Sequence, residues 1–339
     1  MLATPAVQPR PVYALRADVF ASPTRARGLP RVGRPGDLAD KRIFYYAHHV
    51  SANERWTDEA VRLESERWVH VPSDGTCLED ERRLLVRLPR RWGQSRVWRS
   101  WAPDEERADE LIQETIGAVR AADGGRLIWH TGEGISPTFM DECLAKCGFE
   151  VTEELAVLAF YLVDGPEPRL PRLGVPEGVT AGLVRDAAGL KEALLVDSEV
   201  FSSPHPSGEE FAGYTGELEK LALRERCGSP EEGTSLALRF LAFADVGSER
   251  GREDTRRTMG AAGAQIVGET LRLWGAATRE ASRGRGAYRA LVLERCRVGR
   301  ELGATLALAK ANVATSGPTL ERAGFRAIVT ERRHALEIL

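Results

Sequence analysis

Thr270-Leu-Arg-Leu-Trp-Gly-Ala-Ala-Thr278, continued by Arg279-Glu-Ala-Ser-Arg283-Gly-Arg-Gly286-Ala-Tyr288, decides how this chain is read. The alternation in the first stretch predicts a strand, and from Ala287 the apolar residues Leu291, Val292, Cys296, Val298 and Leu302 fall at helical spacing. The segment is therefore strand, glycine turn, helix. Gly284 and Gly286 let backbone N–H groups approach an anion with no Cβ in the way. The helix N-terminus adds partial positive charge, and Arg283 and Arg285 add full charges. A pyrophosphate suits such a loop. The dinucleotide fingerprint fits worse, because Gly284-Arg-Gly286 continues to Arg289 where a third glycine is needed, and no Gly-x-x-x-x-Gly-Lys-Ser/Thr run occurs.

Arg283-Gly-Arg-Gly286-Ala-Tyr288 resembles the Arg/Gln-x-x-Gly-x-Gly/Ala loop of the GNAT acetyltransferase superfamily. Around it stand the expected strand and helix, a further strand at Thr305-Leu-Ala-Leu-Ala-Lys310, and a closing helix that ends in Gly324-Phe325. The resemblance covers roughly residues 175 to 339 and departs from the family at two positions. Tyr288 stands where the loop ends in Gly or Ala, and Leu320 stands where many members carry the tyrosine that protonates the departing thiolate.

The chain has 339 residues, 42% apolar and 29% charged, enough for a sizeable core and a prior of two domains. A net charge of −3 argues against nucleic acid or a membrane surface as the main partner. Five cysteines match no zinc pattern, which predicts reduced thiols, and no metal site is expected. With no membrane-length apolar run and no apolar signal-peptide region, the expectation is a cytoplasmic protein.

Residues 1–41 are rich in proline and arginine, with little periodicity, and read as a flexible arm. From there the first half alternates strand and helix and ends in Leu144-Ala-Lys-Cys-Gly148-Phe149 and a strand. The second half ends in the matching Leu320-Glu-Arg-Ala-Gly324-Phe325 and a strand. That is an internal duplication at a period of about 176 residues. The reading is α/β, with two tandem GNAT-like domains, each a mixed, mostly antiparallel central sheet flanked by helices. Residues 42–163 form a degenerate first domain, 164–178 a proline-rich linker, and 179–339 the acyl-CoA-binding domain. The first copy lacks the glycine loop, because Asp104, Glu105 and Glu106 follow Trp101 and would repel a pyrophosphate.

The resemblance implies an acyl-coenzyme A co-substrate, no metal, and transfer of the acyl group to a primary amine of a small molecule. It implies cofactor contacts along Ala276, Ala277 and Thr278 and through Arg283, Gly284, Arg285, Gly286, Ala287 and Tyr288. Trp274 lies beside the thioester position, as a pocket wall or a core residue. For the proton, the candidates are His205 in the loop between the first two helices of this half, Glu209 and Glu210 beside it, and Asn312 after the penultimate strand. Glu269 and His334 are weaker rivals. The Ala/Arg/Gly-rich composition looks actinobacterial. The narrowest acceptor the resemblance suggests is the aminosugar of a teicoplanin-like glycopeptide antibiotic. No nucleic-acid or membrane partner is expected, and the protein would be a monomer or homodimer. The competing reading is a non-catalytic GNAT-fold module that binds acyl-CoA or a partner protein.

Overall fold

A computed structural model describes residues 56–71, 75–89, 92–122, 124–164, 167–227, 235–245 and 256–339. The arm at 1–41, the strand expected at Ile43-Phe-Tyr-Tyr46 and most of the polar loop from Gly247 lie outside the described residues. In the first half, α1 (Asp58–Glu66) is followed by β1 (Thr76–Glu79), β2 (Arg83–Arg87) and β3 (Gln94–Ser100). Then come α2 (Glu105–Arg120), β4 (Gly125–Gly132), α3 (Met140–Lys146) and β5 (Glu150–Tyr161). Two short strands, β6 (Val163–Asp164) and β7 (Glu167–Pro168), pair where the linker begins.

The second half opens with β8 (Val179–Leu183), α4 (Ala187–Phe201) and α5 (Gly208–Cys227). Three strands follow, β9 (Leu236–Asp245), β10 (Arg256–Val267) and β11 (Thr270–Thr278). The chain closes with α6 (Ala287–Glu301), β12 (Leu306–Asn312), α7 (Gly317–Arg322) and β13 (Arg326–Ile338). Side-chain caps begin several helices: Thr57 Oγ1 accepts from Ala60 N, Asp104 from Arg107 N and Asp186 from Gly189 N, each meeting a donor the helix cannot satisfy itself.

All strands except β6 and β7 form one sheet in the order β1-β2-β3-β4-β13-β5-β12-β11-β10-β9-β8. It is mostly antiparallel. Its two parallel pairs are β3 with β4, over Gln94–Val97, and β11 with β12, over Thr270–Leu273. They sit at equivalent places in the two halves, and each pairing stops after its fourth residue, where the strands part.

The last strand of each half lies against the other half. β13 pairs with β4 and β5, and β5 pairs with β12. The core follows the same exchange: Leu158 and Phe160 of β5 are buried with Leu291, Leu320 and Phe325 of the second half. Separating the halves would open this cluster to water.

The sheet has two covered faces. On one, α2 and α3 seal Val97, Leu127 and Trp129, while α6 and α7 seal Leu271, Ala307 and Leu158. On the other, Val61 of α1 rests on Val157, Ala159, Leu306 and Leu308, and α4 covers Leu241, Ala261 and Ala277.

Candidate active site

The loop between β11 and α6 carries the glycines in the conformation that a tight anion-binding turn requires. Gly284 has φ +73° and Gly286 has φ +95°. Gly286 is the N-cap of α6 and no side chain caps it, so the first N–H groups of this helix stay available. A Cβ on Gly284 would meet nothing within 4 Å, whereas one on Gly286 would lie 2.4 Å from Cδ of Pro176. The linker thus crosses tightly behind Gly286 while Gly284 faces open space.

That open space is a cleft of about 670 Å³ between the loop, the N-terminal end of α6, α7 and the linker. Four arginines line it: Arg283 of the loop, Arg289 of α6, Arg322 of α7 and Arg172 of the linker. No carboxylate lines it, and none of the four pairs with one among the described residues. Thr278 at the end of β11 and Tyr288 of α6 also line it. Burial raises the pKa of Tyr288 above the ordinary phenol value, outweighing the opposing influence of Arg295 and Ser316, so it stays protonated at neutral pH. Ala287 is buried beneath the loop, and Arg285 is exposed beside it.

The first half shows the contrast. Its helix α2 has an N-terminus closed by its own Asp104 carboxylate, with Glu105 and Glu106 in the first turn. The neighbouring cleft holds Arg82, Arg83 and Arg99, each carrying an acidic partner: Glu114 at 2.8 Å, Asp80 at 3.7 Å and Glu79 at 3.2 Å. Its positive charge is already neutralised.

From the arginine cleft, β11 runs towards its divergence from β12. Past the Leu273–Ala309 pair, Trp274 to Thr278 lose their ladder partner on the β12 side. On the β10 side the register shifts, with Gly275 and Ala276 of β11 opposite the single Ala262 of β10, a bulge in β11 where Gly275 has φ +56°. Ala276 and Ala277 lie on this stretch, which is the splayed edge a thioester arm would need. The Trp274 ring lies flat over Gly263, where an added Cβ would fall 2.5 Å from the indole, and the Arg239 guanidinium stands 5.0 Å from its centroid. Arg239 is ion-paired with Asp197 of α4, whose pKa burial raises. Below the bulge the buried Arg295 of α6 donates to the carbonyls of Gly263, at 3.0 Å, and Trp274, at 3.4 Å.

The proton-transfer candidates are not gathered at this point. His205 is exposed in a groove with Lys191, Leu194, Leu195 and Phe211, which shares no residue with the arginine cleft. Glu209 and Glu210 lie in the first turn of α5, and their side chains fall outside the described part of the molecule. The Oδ1 of Asn312 accepts from Ala314 N at 3.0 Å and from the Thr315 hydroxyl, so it builds the turn into α7. Glu269 accepts from Thr305 Oγ1 at 3.0 Å, beside the turn between β10 and β11. His334 is buried in the first half against Thr131 and Asp141. Leu320 is a core leucine.

Arg172, Arg289 and Arg322 escape a reading of the loop motif alone, because the linker, α6 and α7 come together only in the fold. Single arginines on two helices and a linker leave no local pattern.

No protein-family model matches the chain, and no curated protein does. Among solved structures, it is similar to a GCN5-related N-acetyltransferase from Kribbella flavida, with a TM-score of 0.55 and 15% identity over 81% of this chain and 95% of that one. A GCN5-related N-acetyltransferase from Sphaerobacter thermophilus matches with a TM-score of 0.52 and 19% identity, over 82% and 84% of the two chains. The chain has the GNAT fold. A functionally unknown conserved protein from Staphylococcus epidermidis shares it too, with a TM-score of 0.50 and 14% identity, over 79% of this chain and 96% of that one. At these identities the likeness concerns the fold, and what the site does has to come from its residues.

Proposed function

We propose that this protein is an acyl-coenzyme A-dependent N-acyltransferase whose second half binds the acyl donor. The observation that carries the reading is the arginine cleft: four guanidinium groups with no carboxylate partner among the described residues line one space together with an uncapped helix end. Such a site suits a polyanion with several phosphates. Arg283 and the α6 N-terminus would hold the pyrophosphate, with Arg172, Arg289 and Arg322 on the remaining phosphate charge. The pantetheine arm would follow Ala276 to Thr278 towards the gap between β11 and β12.

In the reaction the amine nitrogen attacks the thioester carbon, so a C–N bond forms and the C–S bond breaks. The amine loses one proton to a base or water, and the departing thiolate gains one. Leu320 cannot supply that proton. Tyr288 lines the cleft with its phenol protonated and is the group we assign to this step. The acceptor is a primary amine of a small molecule, the aminosugar of a glycopeptide being one candidate, and the chain would work as a monomer or homodimer in the cytoplasm.

The test follows free thiol release from acetyl-coenzyme A in the presence of a panel of primary amines. Amine-dependent release, with Tyr288→Phe lowering kcat at least about tenfold and leaving KM for the donor within about twofold, supports the reading. Tight donor binding with no release for any amine would favour a non-catalytic acyl-CoA-binding module.

A further inference from the structure

On the sheet face opposite the arginine cleft, the two halves meet over a chamber of about 260 Å³. Arg96 and Trp98 of β3, Arg333 of β13, Lys310 of β12, and Trp274 and Gly275 of β11 line it. It therefore opens at the point where β11 leaves β12. Its small volume, under the roughly 300 Å³ at which drug-sized sites begin, calls for a small occupant.

The charge in this chamber is unbalanced in one direction. Arg333 is ion-paired with Glu153, and Lys310 lies 2.8 Å from Glu331. Among the described residues Arg96 donates to the neutral Gln94 Oε1, at 3.1 Å, and to no carboxylate, with Glu153 acting on it through space alone. Burial, and then the charge of Arg333, push the Arg96 pKa down to about 10, the direction that a nearby anion would reverse. His130, buried beneath Trp98, is held neutral by burial and adds no charge. The Nε atoms of Arg96 and Arg333 and Nε1 of Trp98 are buried without a hydrogen-bond partner. Buried donors are seldom left so, and the three belong to residues that line one chamber.

The aromatic walls are held in place. Trp98 stacks on His130 with centroids 4.4 Å apart and planes 20° apart, and Trp274 packs on Gly263 with the Arg239 guanidinium 5.0 Å from its ring centroid. Two fixed indoles suit a flat ring.

We propose that this chamber takes the acceptor, a small amine bearing one carboxylate and a flat ring. The carboxylate meets Arg96, the ring lies against Trp98 and Trp274, and the amine points to the gap between β11 and β12. The idea deepens the acyl-transfer reading and rests on it for the direction of the amine. It gives the first half a direct part in recognition, and it disfavours polycationic aminosugars, whose ammonium groups would face Arg96, Arg333 and Lys310.

The experiment is calorimetric titration of the full chain with 4-(aminomethyl)benzoate and, separately, with its neutral counterpart 4-(aminomethyl)benzamide. Acetyl-coenzyme A is titrated independently. The wild type should bind the benzoate at least about tenfold more tightly than the benzamide. Arg96→Gln should abolish that preference, Arg96→Lys should retain part of it, and neither should move acetyl-coenzyme A affinity. Equal affinity of the wild type for the two probes, or a preference that survives in Arg96→Gln, overturns the proposal even when coenzyme A binds. A benzoate preference in a protein that does not bind coenzyme A supports the anion chamber and overturns the acyl-transfer reading instead. The wild-type comparison stands even if Arg96→Gln fails to fold.

Discussion

Gly286→Ala tests the geometry of the loop more sharply than any change of charge. Two costs are expected. The first is the positive φ of +95°, which an L-residue adopts at about 1–2 kcal/mol. The second is steric, because the new Cβ would lie 2.4 Å from Cδ and 2.8 Å from Cγ of Pro176, so the linker must shift at about 1–3 kcal/mol. Together they amount to about 2–5 kcal/mol, a large share of a typical stability of about 5–15 kcal/mol. Gly284→Ala is the control. It has φ +73° and nothing within 4 Å, so it should carry only the first cost, about 1–2 kcal/mol. Urea unfolding of the two variants measures the difference. Adding Pro176→Ala to Gly286→Ala removes the ring atoms and should recover about 1–3 kcal/mol, a coupling that the single Pro176→Ala variant does not explain. Equal losses for the two glycine variants, or no coupling to Pro176, would refute the placement of the linker behind the loop. In coenzyme A binding the order should reverse, since the Cβ on Gly284 enters the open cleft.

Arg289→Ala and Arg322→Ala should each weaken coenzyme A binding by about 1–3 kcal/mol and reduce its salt dependence, read by titration at two ionic strengths. His130→Phe should flatten the acid side of the stability curve. Burial lowers the folded pKa of His130 well below its unfolded value near 6.5, so the unfolded chain binds the extra proton first. That contribution is complete above about pH 6.5 and declines as the pH falls towards the folded pKa. Urea midpoints across that range should slope in the wild type and less so in the variant. His205→Ala should keep acetyl transfer within about twofold, since its groove shares no residue with the cleft or the chamber. A tenfold loss would return His205 to the reaction.

The strand, loop and helix from Thr270 onward were legible because each depends on neighbours in sequence: apolar period, glycine turn and capping. So was the lack of an anion loop in the first half, where Asp104 caps the helix it was expected to guard. The strand exchange was not legible. Nothing local in β5 or β13 says which half each will join. The arginine cleft was half legible, as Arg283 belongs to the motif while Arg172, Arg289 and Arg322 arrive from three other elements. The chamber left a trace that the duplication makes visible. Arg96-Val-Trp98 and Arg272-Leu-Trp274 occupy matching places in the two parallel pairs, and both tryptophans line it. The proton-transfer candidates were chosen by position in a loop, and side-chain direction in loops depends on tertiary contacts that a sequence does not display.

The most direct test of the central claim is calorimetric titration of the full-length protein with coenzyme A, repeated with the Arg289→Ala/Arg322→Ala double variant. The account predicts one molecule bound per chain, with affinity falling at least about tenfold in the double variant. Two molecules per chain, no binding, or an affinity indifferent to both arginines would contradict it.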